Sequence, residues 1–196
     1  MSEQRDPPRA VAVLLEEHAV GRRYLEPLER LRRQGDGGPD AETLLTLVLE
    51  ALAYLDASLE EHIAKEEEAL FPPLKARLPA DDRLIDEMVA EHDYVRMHRD
   101  DLRAVIEDLL AGHDDLDAGR EELRAALRAA AETRTPEAVA ALRHAAWRVA
   151  ETALIHFENE EELVFPLAPQ LLTPDELAEA ARAMDAIAAR FAGAEA

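Results

Sequence analysis

The chain contains no cysteine. This absence excludes disulfides, thiolate metal sites, iron–sulfur clusters and a cysteine nucleophile, so any bound metal must be held by nitrogen and oxygen atoms. Aromatic and β-branched residues are also few, and no stretch alternates apolar and polar residues over the length of a strand. Alanine, leucine, glutamate and arginine are abundant instead, and these residues favour helices. The composition therefore predicts an all-α protein.

Positive charge is scarce, because 22 basic residues stand against 43 acidic ones and give a formal net charge of -21. Such a field repels phosphate backbones and anionic lipids, so we expect neither nucleic acid nor a membrane as a partner. A solvated acidic surface accounts for most of the charge, although part of it could neutralise bound cations. No apolar run is long enough to cross a bilayer, and residues 1–9 lack the apolar core of a signal peptide. We therefore expect a cytoplasmic location.

One pattern, His-x-x-x-Glu-Glu-Glu-x-x-Phe-Pro, occurs twice, beginning at His62 and at His156. On a helix, a histidine and a glutamate four residues apart lie on the same face and point at the same place. The pairs formed in this way are His62 with Glu66 and His156 with Glu160. A further histidine precedes each copy, His18 the first and His92 the second, so a two-helix unit is used twice. The Phe-Pro of each copy predicts the end of a helix, because proline disfavours helical backbone in the residue before it.

Four long helices are predicted, over residues 8–35, 40–70 and 82–111 and from Pro136 onward. The short connections after the first two predict an antiparallel up-and-down four-helix bundle. A last helix opens at Thr173 and Glu176, which have capping-box spacing, and we expect it to pack on the bundle, with a second subunit as the alternative. An alanine-rich stretch at 120–132 is also predicted to be helical. We expect a single domain over 1–196, with the bundle at 10–170 and the additional C-terminal helix at 173–192.

Each of the four long helices carries one histidine on its core-facing row, and two of them add a glutamate one turn later. Without a cation, four buried imidazoles and two buried carboxylates would have to satisfy one another, and the repetition of the set disfavours that alternative. These donors exceed what one tetrahedral zinc site uses. They suit two ions of about six-coordination, bridged by both carboxylates, with positions left for water, hydroxide or oxygen.

Iron suits this mixed imidazole and carboxylate set, and manganese and zinc remain alternatives because the order of affinities alone does not select iron. A bridging oxide or hydroxide would bring the charge of two divalent ions and two carboxylates close to balance. In the metal-free protein the two carboxylates would face each other, which we expect to raise their pKa or to loosen the bundle. Glu67 and Glu68 lie off the inward row and are predicted to be solvated. His98 also lies off its row and is predicted to be at the surface or to support a ligand.

These residues resemble the hemerythrin-like, or HHE, cation-binding domains, which are four-helix bundles that hold a non-haem di-iron centre. The resemblance covers roughly residues 10–170, and the doubled His-x-x-x-Glu with its Phe-Pro is its specific signal. It implies that Glu66 and Glu160 bridge the metals. The ligands that it implies are His18, His62, Glu66, His92, His156 and Glu160.

The chain departs from the oxygen-carrying hemerythrins, which place another histidine four residues after the one on the third helix. Arg96 occupies that position here, and Glu160 follows His156 by four residues, whereas the carriers have aspartate at five. Candidates for the missing ligand are Glu61, Tyr24, Tyr54 and Tyr94. The departure favours the wider group linked to iron handling, to sensing of oxygen or redox state, and to peroxide or nitric oxide chemistry. We expect a binding protein that senses, stores or carries iron or a small oxidant. The alternative is an enzyme that decomposes peroxide or reduces nitric oxide, and a homodimer is left open.

Overall fold

The computed structural model describes residues 6–32, 40–110 and 136–194, and these residues form helices and short connections without a strand. The α-helices are α1 (Arg9–Glu29), α2 (Ala41–Lys65), α3 (Phe71–Lys75), α4 (Leu84–Leu110), α5 (Pro136–Asn159), α6 (Ala168–Leu171) and α7 (Pro174–Ala194). Two π-helices, Glu66–Leu70 and Glu160–Val164, follow α2 and α5. The predicted all-α helical bundle with an additional C-terminal helix is confirmed. The helix predicted at 120–132 lies outside the described residues.

Capping bonds mark the starts of two helices, and the one before α7 confirms the predicted capping box. The backbone N–H of Leu84 donates to Asp82 Oδ1 at 2.9 Å at the start of α4. Before α7, the Thr173 N–H donates to Glu176 Oε2 at 2.8 Å, and the Glu176 N–H donates back to Thr173 Oγ1 at 3.3 Å. Such side-chain acceptors satisfy first-turn N–H groups that have no partner within the helix.

The prediction that Phe-Pro ends each helix is wrong, because the chain stays helical through both prolines. The Phe71 N–H donates to the carbonyl of Glu66, five residues back, and Phe165 does the same with Glu160. A π-turn is wider than an α-turn, so it accommodates a proline ring that would otherwise clash with the preceding turn. Glu66 and Glu160 are each the first residue of a π-helix, at the same place in the two copies.

The chain divides into two compact units, and the first comprises Met1–Gly21, Asp56–His92 and Ile155–Ala196. Its core includes Ala181, Met184 and Ile187 of α7, packed in one cluster with buried residues of α1, α3 and α4. The predicted intramolecular packing of the C-terminal helix is therefore confirmed. All six predicted metal ligands belong to this unit.

The second unit comprises Arg22–Leu55 and Asp93–Leu154. Within it His98 is buried, so the prediction that places it at the surface is wrong. Arg148 donates to His98 Nε2 at 3.0 Å, and His98 Nδ1 lies 3.5 Å from Asp101 Oδ2. Of the helices in the described ranges, none is long and apolar enough to cross a membrane.

Candidate metal centre

The six predicted ligands lie together in the first unit, and each is buried, with at most 5% of its surface exposed. Their donor atoms form two groups in which all atoms lie within 4.8 Å of one another. The first group is His18, His62, Glu66 and Glu160, and the second is Glu66, His92, His156 and Glu160. Because Glu66 and Glu160 belong to both groups, the arrangement has the form of two adjacent cation positions that share two carboxylates.

The Nε2 atoms of the histidines face these shared carboxylates. In the first group His18 Nε2 lies 3.1 Å from His62 Nε2 and 3.3 Å from Glu160 Oε2. In the second group His92 Nε2 lies 3.2 Å from Glu66 Oε2, and His156 Nε2 lies 3.3 Å from Glu160 Oε1. Ligands that bind one ion at about 2.1 Å in octahedral geometry are separated from their neighbours by about 3.0 Å. The spacing therefore matches that of ligands around an ion.

Several of these atoms are buried without a hydrogen-bond partner in the described part of the chain. They are both carboxylate oxygens of Glu66, both of Glu160, His92 Nε2 and His156 Nε2. Ion-pair distances of 3.2 to 3.7 Å separate them from their neighbours, but the atoms are not aligned for hydrogen bonding. A buried carboxylate whose oxygens accept no hydrogen bond is costly, and a bound metal ion offsets that cost. The donor set therefore fits bound cations.

The Nδ1 atom of each histidine lies within hydrogen-bond distance of a separate glutamate. The pairs are His18 with Glu161 at 2.9 Å, His62 with Glu17 at 2.8 Å, His92 with Glu67 at 2.7 Å and His156 with Glu91 at 3.0 Å. An ionised carboxylate only accepts, so Nδ1 carries a proton, and in the neutral imidazole that binds a metal the Nε2 lone pair faces the centre. Metal-ligating histidines are commonly fixed by such a carboxylate partner. We refer to Glu17, Glu67, Glu91 and Glu161 as the outer glutamates.

The outer glutamates were not predicted from the sequence, and the prediction that Glu67 is solvated is wrong. Each outer glutamate is the direct sequence neighbour of one predicted ligand and bonds to a ligand on a different helix. The contacts run from α1 to α2, from the end of α2 to α4, from α4 to α5, and from the end of α5 back to α1. The signal was present in the sequence as Glu-His at 17–18 and 91–92 and as Glu-Glu at 66–67 and 160–161.

Two of the outer glutamates are held in turn by the residue that precedes a shared carboxylate. Lys65 forms ion pairs with Glu17 and Glu61. In the second copy, Asn159 Nδ2 donates to Glu91 Oε1 at 3.0 Å.

The candidates for a further ligand have other contacts. Glu61 is engaged by Lys65, and it belongs to neither ligand group. In the second unit Tyr24 and Tyr54 stack on each other with ring centroids 4.9 Å apart, and Tyr94 is exposed. The identity of a further ligand therefore stays open.

Phenylalanines enclose the imidazoles of the centre. Phe157 stacks on His18 with ring centroids 4.0 Å apart, and Phe165 lies 5.4 Å from the same imidazole. Phe71 lies parallel to His92 at 5.9 Å. Phe71 and Phe165 are the phenylalanines of the two Phe-Pro sequences, and each lies against the histidine that precedes the other copy of the pattern. These rings keep water from the imidazoles and restrict their rotation.

The electrostatics of the metal-free centre is governed by the proximity of imidazoles to carboxylates. Burial disfavours charge on His92, but the adjacent carboxylates of Glu160, Glu66 and Glu67 outweigh burial and raise the pKa of His92 to about 11. Burial also opposes ionisation of Glu160, yet the histidines around it hold the pKa of that carboxyl well below its usual range. The prediction of a raised pKa in the metal-free protein is therefore wrong for Glu160, because it faces imidazoles as well as the other carboxylate.

A helical protein with a buried set of four imidazoles and two carboxylates belongs to the class of candidate cation-binding proteins. A family model described as the hemerythrin HHE cation binding domain matches residues 9–128, and the chain belongs to this family. The matched range includes the first copy and His92, whereas His156 and Glu160 lie beyond it. Comparison with curated proteins and with solved structures gave no significant match.

Proposed function

We propose that the chain binds two iron ions side by side, one in each ligand group, with Glu66 and Glu160 bridging them. The observation that supports this most is that two buried groups, each with its own pair of histidines, share these two carboxylates. A set of nitrogen and oxygen donors without thiolate suits iron, and zinc and manganese are the alternatives. An oxide or hydroxide between the ions would complete the charge balance.

We infer that the role of this centre is to handle or sense iron, oxygen or another small oxidant. Bound iron would supply one-electron redox chemistry and coordination positions that protein donors leave open. The chain holds the imidazoles in the required tautomer through the outer glutamates, and its phenylalanines keep out water. The burial of the ligands restricts access to small molecules such as dioxygen, peroxide or nitric oxide. Arg96, which donates to Asp93 at 3.3 Å, stands where oxygen carriers have a histidine, and this favours sensing or handling over reversible carriage.

The second candidate function is an enzyme that decomposes peroxide or reduces nitric oxide at the same centre. It is favoured by the same count of donors, because two imidazoles and two shared carboxylates leave positions free on an ion of about six-coordination.

The two functions are separated by exposing iron-loaded protein to peroxide and to nitric oxide. A sensor or carrier gives a spectral change that saturates at one small molecule per centre, whereas an enzyme continues to consume peroxide or nitric oxide. His18→Ala removes a ligand and should abolish either response, and His144→Ala, which changes an exposed histidine of α5, serves as the matched control. Absence of any transition metal from the parent protein after loading would contradict both functions.

A further inference from the structure

The two candidate cation positions differ in one contact behind their histidines. Lys65 and Asn159 occupy the same place in the two copies, directly before the shared carboxylates. Lys65 contacts Glu17, which holds His62 of the first ligand group. Asn159 contacts Glu91, which holds His156 of the second. The ammonium of Lys65 therefore supports the first ligand group through Glu17, whereas the neutral amide of Asn159 supports the second through Glu91.

This difference affects how strongly each histidine can bind a cation. The side chain of Lys65 is only 6% exposed, so its charge is poorly screened from Glu17. Hydrogen bonds between two charged groups are roughly twice as strong as neutral ones, and the ammonium draws negative charge away from the carboxylate. Glu17 therefore polarises His62 less than Glu91 polarises His156. A less polarised imidazole is a weaker metal ligand.

Glu61 moderates this effect without removing it. It shares the Lys65 ammonium with Glu17, and its side chain is 27% exposed. Its negative charge offsets that of Lys65 at long range, so the difference between the positions arises from the direct contact between Lys65 and Glu17. The equivalent of Glu61 in the second copy is the exposed, uncharged Ile155.

The other two outer glutamates have similar histidine contacts and similar exposure in the two copies. Glu161 and Glu67 follow the two shared carboxylates directly, and each bonds to the Nδ1 of a histidine, at 2.9 and 2.7 Å. Their side chains are 29% and 31% exposed, so solvent screens them alike. The contrast between Lys65 and Asn159 is therefore a charge difference between the two copies, next to the glutamates that hold His62 and His156.

We propose that the two metal positions are inequivalent, with Lys65 weakening the position of His18 and His62 and Asn159 leaving the position of His92 and His156 the tighter one. This proposal rests on the proposed binding of two ions. Lys65 and Asn159 are positioning residues that act through Glu17 and Glu91.

Stepwise titration of metal-free protein with cobalt(II), followed by visible absorption, tests the proposal through the ratio of the two dissociation constants. Lys65→Asn should tighten the weaker step by about tenfold, and Asn159→Lys should weaken the tighter step by about tenfold. Both single variants thus reduce the ratio of the two dissociation constants. The ratio that is left in these variants reports the repulsion between the two ions. The double exchange, Lys65→Asn with Asn159→Lys, should restore the parent ratio with the order of the positions reversed.

A merely structural role would not give this pattern, since two damaging changes do not restore a ratio. Lys65→Met, which keeps chain length without charge, should behave like Lys65→Asn. Lys75→Asn is the control for net charge, because Lys75 pairs with Asp86 on the exposed surface. Two bound ions with an unchanged ratio in the single variants, or a double exchange that does not restore it, would overturn the proposal alone. Fewer than two ions in the parent would overturn the proposed function as well.

Discussion

Metal binding to the candidate centre should expel protons from its histidines. In the metal-free protein the carboxylates around His92 raise its pKa from 6.5 to about 11, so the imidazole is protonated at neutral pH. The pKa of His62 is raised as well, because Glu66 and Glu17 outweigh the opposing effect of burial. A metal ion binds only the neutral imidazole, so uptake of the metal must release these protons.

The size of the effect follows from the pKa of His92. At pH 8 the imidazole lies about three pH units below its pKa, so its deprotonation costs about 4 kcal/mol. The affinity for metal should rise by about tenfold per pH unit between pH 7 and 10 for each proton released. The pH dependence of folding stability has the opposite sign to that of metal affinity. A raised folded-state pKa stabilises the metal-free protein fully below pH 6.5, and this contribution is lost as the pH rises through about 11.

The assay is the addition of zinc, which has no redox chemistry, to weakly buffered metal-free protein at pH 8 with an indicator dye. We expect at least one proton per chain to be released. Glu67→Gln removes a carboxylate that raises the pKa of His92 and should therefore reduce proton release at pH 8 and make the metal affinity less dependent on pH. Glu68→Gln is the matched control. Glu68 is next to Glu67 in the sequence, but its carboxylate pairs with Arg190 on the surface. Metal uptake at pH 8 without proton release would refute this account of the centre.

Three further predictions concern the ligands and the C-terminal helix. Glu66→Gln combined with Glu160→Gln should sharply reduce iron uptake. The double variant should also lower the melting temperature of the metal-free form, because imidazoles stabilise the Glu160 carboxylate. Glu158→Gln, which changes an exposed glutamate, should do neither. Arg96→His places an imidazole one helical turn after His92 and should change the visible spectrum of the iron-loaded protein, whereas an unchanged spectrum would mean that position 96 does not reach the metal. Met184→Ala should cost about 2–5 kcal/mol in urea unfolding, because this α7 side chain is only 1% exposed, and a smaller loss would contradict its place in the core.

The sequence was sufficient to predict the helical class and the residues that meet at the centre. Two copies of His-x-x-x-Glu on core-facing helical rows constrain which side chains can meet, because helical periodicity puts residues four apart on one face. The capping box of Thr173 and Glu176 was predictable for a similar reason, since its bonds span only three residues. Local rules of this kind depend little on the rest of the fold.

Other features depended on contacts that no local rule contains. Glu67 lies off the inward row of its own helix, yet it reaches His92 on another helix. Proline after phenylalanine predicted a helix end, but the chain widens into a π-turn and continues. The pKa of Glu160 depends on imidazoles from three other helices. The two carboxylates considered alone therefore predict the wrong direction for the shift of this pKa.

The prediction of a single domain over 1–196 stays a prediction, as do the cytoplasmic location and the ligand roles of the six residues.

The central claim, that the chain binds two metal ions between four histidines and two shared glutamates, is tested most directly by counting the iron bound per chain. Metal-free protein loaded anaerobically with iron(II) and freed of excess metal should retain about two ions per chain. The Glu66→Gln and Glu160→Gln double variant should retain fewer than one. One tightly held ion in the parent, or two ions in both proteins, would contradict the claim.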